Sequence, residues 1–129
     1  MTTIEKRRLN FLKEKLGYFI EDPSRRAYNK ETESCMYWDK STGNKCLIGM
    51  EIPEKKYNKN YEDASLEYEK NGEKIIFNQL PVAIQELGLY FLAECQRLHD
   101  DEAYWTEEGL SDKGVARLNF IKANYCNVN

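Results

Sequence analysis

Two adjacent guanidinium groups, Arg25 and Arg26, follow the helix-stopping pair Asp22-Pro23, with Tyr28 two residues further on. A loop presenting two arginines can clamp a phosphate or carboxylate bidentately, because the planar guanidinium matches the oxygens of both. Tyr37, Trp38 and Trp105 add aromatic faces, and Lys45 adds a third positive charge. A base stacked on such a face gains about 1–3 kcal/mol in nucleic-acid binders. Arg25, Arg26, Tyr28, Tyr37, Trp38, Lys45 and Trp105 are therefore the candidate ligand-binding residues, directed at a small phosphorylated molecule. The competing reading makes the arginines a solvated pair, or a pair capping carbonyls at the end of the preceding helix.

A second constellation surrounds the single histidine. Cys95 lies four residues before His99 on a helical pattern, and Asp100 follows it. A thiol nucleophile needs a lowered pKa and an imidazole within reach. A cysteine on an apolar stripe is more often a small core residue, and a histidine near a helix C-terminus more often meets the last carbonyls. No catalytic residue is assigned on this ground. His99, Asp100, Asp101 and Glu102 read as a solvated helix end, and the spacing of Cys35, Cys46, Cys95 and Cys126 fits no CxxC or CxxH pattern. Neither a metal nor a cofactor is expected. Gly43 and Gly49 are too sparse for a phosphate-cradling loop, and no GxSxG motif is present.

These residues must be held by a chain of 129 residues, one domain on length, with 41% hydrophobic and 32% charged residues. Its 19 basic and 22 acidic residues are interspersed and give a net charge of −3, which argues against duplex nucleic acid as a partner. The N-terminal stretch is charged, and no apolar run approaches the roughly 18 residues of a membrane span. A cytoplasmic protein with its cysteines as thiols is expected.

The longest apolar-periodic stretch is Leu80 to Asp101. Pro81 suits a first helical turn, and Ile84, Leu87, Phe91, Cys95 and Leu98 define one buried face of a helix ending near His99. Leu80, Val82, Leu89, Tyr90 and Leu92 widen that face, and Gly88 marks a place where another element approaches the backbone. Thr2 or Thr3 caps a first helix running to about Ile20 and stopped by Asp22-Pro23. Cys35 to Trp38 reads as a strand, Asp39 to Lys45 as a turn, and Cys46 to Gly49 as the returning segment, with Trp38 opposite Leu47. Residues 54–72 are polar and tyrosine-dotted, which predicts a long surface excursion or flap, and residues 74–78 predict a third strand. Thr106 to Gly109 reads as a helical turn, and Ser111 caps a last helix with Val115, Leu118, Ile121 and Tyr125 inward. The fold class is α+β, with three main helices and a small antiparallel hairpin or sheet.

Two sets of residues also carry a resemblance. Cys35 through Lys45-Cys46-Leu47-Ile48-Gly49, and Leu98-His99-Asp100 followed by Trp105 and Gly109-Leu110-Ser111, together with Asp22 to Arg26, resemble small accessory proteins of bacteriophages and their bacterial hosts. That group has no assigned activity and so transfers no catalytic residue. The resemblance implies a counter-defence setting in a host-cell cytoplasm, where one class of such proteins sequesters cyclic nucleotides that serve as immune signals. On these grounds the chain is expected to be a non-enzymatic binder of a small phosphorylated ligand. Ligand pockets in small binders often form between subunits, so a homo-oligomer is compatible with that expectation. The alternatives are a protein–protein inhibitor or adaptor using the aromatic hairpin and tyrosine-rich segment against a host protein, and a hydrolase of such a nucleotide.

Overall fold

Thr2 opens the first helix with a capping box: its side chain accepts from Glu5 N–H, and the Glu5 carboxylate accepts from Thr2 N–H. The structure, a computed structural model, describes residues 1–29, 31–32 and 34–128. Helix α1 (Thr3–Phe11) continues through a π-helical turn, Leu12–Leu16, into α2 (Gly17–Glu21). Phe11, Leu12, Leu16 and Phe19 are all buried along this length. Asp22 ends it in extended geometry, accepting from Ser24 N–H and Ser24 Oγ–H, while Pro23 opens a 3-10 turn, Pro23–Arg25.

Two short antiparallel ladders follow. Strand β1 (Tyr28–Asn29) pairs with β2 (Ser34–Cys35), and β3 (Trp38–Asp39) pairs with β4 (Asn44–Lys45). Trp38 faces Lys45 rather than the expected Leu47. Asp39 sets that register: its carboxylate accepts from Ser41, its carbonyl accepts from Gly43 N–H, and Gly43 takes φ +80°. Cys46, Leu47 and Ile48 then leave the strand and enter the core fully buried.

Residues 54–72 are a surface excursion, as one of the two expectations had it, but one anchored to the core. Two 3-10 turns, Glu54–Lys56 and Lys59–Tyr61, precede the hairpin of β5 (Glu69–Lys70) and β6 (Glu73–Lys74). Leu66 is buried, and Tyr57, Tyr61 and Ala64 pack against the core. Tyr57 and Tyr61 act as apolar anchors in a segment with few aliphatic ones. The expected strand over 74–78 is paired only at its first residue, and a 3-10 turn, Phe77–Gln79, replaces the rest.

The long central helix is split into α3 (Val82–Gln85) and α4 (Leu89–Asp100) by Gly88 at φ +101°. Arg8 fills the break, donating to Leu87 O at 2.8 Å and Tyr125 O at 3.2 Å. A Cβ on Gly88 would lie 3.1 Å from the Arg8 guanidinium, which bears out the close approach expected there. The split leaves Val82 and Tyr90 exposed, while Leu80, Leu87, Phe91, Leu92, Cys95 and Leu98 stay inside. Beyond α4, residues 105–110 form a hairpin of β7 (Trp105–Thr106) and β8 (Gly109–Leu110), not the expected helical turn; Gly109 at φ +145° suits the hairpin and no helix. Ser111 caps α5 (Asp112–Tyr125) by accepting from Gly114 N–H. Gly114 lets α5 lie against the Tyr104 carbonyl, so the inner face runs through Gly114 and Ile121, and Val115 points outward. The whole is one α+β domain built around Phe19, Leu47, Ile48, Ile76, Phe91, Leu98 and Ile121. Its four cysteines are free.

A Cβ on Gly49 would sit inside the Tyr37 carbonyl, whereas one on Gly17 meets nothing within 4 Å. Urea titration should therefore show Gly49→Ala destabilised by about 3 kcal/mol from overpacking. Gly17→Ala, in a helix, should be neutral or stabilised by up to about 1 kcal/mol.

Candidate functional site

Arg25 and Arg26 diverge. Arg25 closes the 3-10 turn and Arg26 is extended, with φ −66° and ψ 137°, so the two side chains leave the backbone in different directions. They serve different parts of the molecule.

Arg26 is 7% exposed and caps α4. Its Nε donates to His99 O at 2.8 Å and one terminal nitrogen to Asp100 O at 3.2 Å. The other terminal nitrogen pairs with Glu102 at 2.7 Å. Its guanidinium stacks on Trp105 at 4.9 Å and Tyr28 at 5.4 Å, and Trp105 Nε1–H donates to Leu98 O at 2.8 Å. Asp101 N–H takes the Arg97 carbonyl. Each of the last four carbonyls of α4 thus has a donor, where a bare helix end would leave them orphaned. A hollow of about 610 Å³ lies outside this cap, edged by Ser24, Arg26, Tyr28, Glu102, Trp105 and Glu107. Three carboxylates, Asp22, Glu102 and Glu107, border it, and Arg26 is already committed, so it offers little to an anion.

Arg25 lines a different cleft of about 380 Å³ with Tyr18, Trp38, Asn44, Lys45 and Glu54. Its guanidinium lies over the Tyr18 ring at 4.4 Å and donates to Tyr18 O at 3.0 Å. Lys45 Nζ lies 4.5 Å from the Trp38 ring centre and pairs with Glu54 at 3.0 Å. Lys40 lies over the same indole at 4.9 Å. Asn44 Nδ2–H donates to Ser24 O at 3.2 Å and ties the hairpin to the 3-10 turn, which fixes the two walls of the cleft. The structure therefore brings Arg25, Trp38 and Lys45 together, and places Arg26, Tyr28 and Trp105 in the cap. Tyr18, on α2, is 43% exposed and forms the floor under Arg25. Nothing local marks it: its role depends on the chain folding back after Pro23.

Tyr37 belongs to neither group. It is buried, its hydroxyl donates to Ala64 O at 2.7 Å, and its N–H donates to Glu62. Glu62 also accepts from Trp38 N–H and from the Tyr57 hydroxyl, so one carboxylate pins the hairpin to the 54–72 segment. No spacing in the sequence pointed to Glu62.

On the Tyr37 side lies a third cavity of about 370 Å³, bordered by Cys35, Gln96, Arg97 and Asp100. His99 stands behind it, completely buried, rather than in a solvated helix end. His99 Nδ1 is 2.9 Å from Asp100 Oδ1, which also accepts from Gln96 Nε2–H at 2.9 Å. Burial pulls the imidazole below the ordinary histidine range, against the opposing pull of the Asp100 hydrogen bond. Burial also pushes the Cys35 thiol up, and Asp100 adds to that more than Arg26 removes. Cys95 is a buried core thiol, pushed well above its usual range by burial. Neither cysteine is primed as a nucleophile. No family model, curated protein or solved structure matches the chain.

The division between the two arginines has a stability signature. Arg26→Ala should cost about 3 kcal/mol in chemical unfolding, because buried carbonyls at the end of α4 lose their donors. Arg25→Ala should change stability by no more than about 0.5 kcal/mol, its ion pairs being solvated.

Proposed function

We propose that the protein is a non-enzymatic binder that captures a small phosphorylated ligand carrying a planar ring, of the nucleotide class, in the cleft of Tyr18, Arg25, Trp38 and Lys45. One observation supports this above the rest: two cations and two aromatic rings converge on a single hollow, while the carboxylates that pair with the cations are more exposed than the cations themselves. The Lys45 side chain is 21% exposed against 67% for Glu54, and that of Arg25 is 31% exposed against 76% for Glu21 and 50% for Asp22. The ion pairs to Arg25 are long, at 3.7 and 3.9 Å. A phosphate can displace such partners without burying an unpaired charge. Trp38 and Tyr18 then offer faces for the ring, and a volume of about 380 Å³ lies in the range of small-ligand pockets.

The resemblance to phage accessory proteins makes a cyclic nucleotide immune signal the proposed physiological ligand, held and not cleaved. The protein–protein alternative draws on the tyrosines of residues 54–72. Tyr57 and Tyr61 are packed against the core and Tyr68 is the exposed one, which reduces the surface that reading relies on.

Calorimetry with cyclic mono- and dinucleotides and adenosine 5′-monophosphate tests the proposal. At least one should bind, and Arg25→Ala, Lys45→Ala and Trp38→Leu should each weaken it about tenfold or more with melting temperature unchanged. Chromatography after incubation should return the nucleotide intact. Absence of binding to every probe, or equal affinity in all three variants, contradicts the proposal; a converted nucleotide would make the protein a hydrolase instead.

A further inference from the structure

Cys35 and Asp100 are 65 residues apart in sequence, yet the thiol of one lies 3.5 Å from the carbonyl of the other. Cys35 Sγ, a ring nitrogen of His99 and a carboxylate oxygen of Asp100 all fall within 4.8 Å of one another. The geometry points to a site for a single divalent ion of the zinc type, held by Cys35, His99 and Asp100 with its fourth position open to the cavity beside them. This reverses the expectation, drawn from cysteine spacing, of no metal centre; the ligands come from β2 and the end of α4, where no local motif can announce them.

Thiolate, imidazole and carboxylate are all zinc ligands, and three of them plus one solvent position make an open site. Metal–ligand bonds of about 2.0–2.3 Å need donor atoms about 3.5 Å apart, so the cluster must contract by roughly 1 Å. His99 Nδ1 and Asp100 Oδ1 are already 2.9 Å apart, which leaves the adjustment to rotation of the half-buried Cys35 side chain. The Asp100 carboxylate and the Asp100 carbonyl beside Cys35 attract a cation, with Arg26 offsetting part of the helix-end charge. Gln96 is held by Ile48 N–H at 3.1 Å and donates to Asp100 Oδ1, which fixes the carboxylate. Arg26, its charge met by Glu102, lies 3.8 Å from Cys35 Sγ, and the guanidinium can donate to a thiolate. His99 Nε2 is buried and meets no hydrogen-bond partner among the described residues, so the ring is not fully used by the protein's own polar groups. On binding, the Cys35 proton is released to solvent and the unprotonated His99 ring nitrogen meets the ion, so that the thiolate and the imidazole each give it a lone pair.

Cobalt(II), added to the metal-stripped full-length protein, is the probe. One equivalent should produce a near-ultraviolet thiolate-to-cobalt charge-transfer band that zinc abolishes by displacement. Cys35→Ser should lose the band, Asp100→Asn should weaken cobalt binding about tenfold or more, and Arg25→Ala should leave both unchanged, which separates this site from the nucleotide cleft. Circular dichroism confirms that each variant is folded, and two substitutions on different elements keep the test decisive if one is not. No charge-transfer band in the unaltered protein, or a band that survives Cys35→Ser, overturns the assignment.

Discussion

The end of α4 is the point on which the molecule turns. Carbonyls there face the middle of the protein rather than water, and their donors come from distant parts of the chain. Arg26 reaches them from the turn after the first helix, and Trp105 from the hairpin before the last. The guanidinium is enclosed by two aromatic rings and paired with Glu102. One side chain thus joins the N-terminal helix, the central helix and two of the hairpins, and satisfies groups that would each cost about 1–3 kcal/mol if left buried and unpaired.

That commitment decides what the neighbouring elements are free to do. With Arg26 drawn inward, Arg25 turns to the opposite wall, against Tyr18 and beside the β3–β4 hairpin. Tyr37 and Trp38 divide in the same way: Tyr37, at the bend before β3, goes to the core and Trp38 to the cleft. Each adjacent pair of candidate residues contributes one member to the architecture and one to the surface. The cavity holding Cys35 and Asp100 lies on the Tyr37 side, which keeps its chemistry apart from the cleft.

Local signals in the sequence were legible. Thr2, Asp22-Pro23 and Ser111 act at the helix ends their chemistry demands, and the α+β class follows from the helical periods and the short polar-bounded aromatic segments. Most of the misplacements share a cause, a partner distant in sequence; the β3–β4 register and the 105–110 hairpin are set locally, by Asp39 and by Gly109. A glycine read as a point of close approach is also a break, because Arg8 inserts there from the first helix. Two of the three tyrosines in 54–72, Tyr57 and Tyr61, are anchors, because the core meets them and Glu62 accepts from Tyr57. His99 is buried because Phe19, 80 residues earlier in the chain, packs edge-on against its ring at 4.5 Å. Arginine pairs are ambiguous for the same reason: tertiary structure sends Arg26 to the end of α4, while Arg25 donates to the Tyr18 carbonyl in the last turn of α2 and borders the cleft.

The two indoles report on that division within one spectrum. Trp105 donates its Nε1–H to Leu98 O inside the cap, while Trp38 borders the Arg25 cleft. A nitrogen–proton correlation spectrum, recorded during titration with a nucleotide that binds, follows both indole resonances. Movement of the Trp38 signal with a stationary Trp105 signal is the predicted result. Movement of the Trp105 signal with Trp38 unmoved would place the ligand against the Arg26 cap and contradict the assignment of the two arginines.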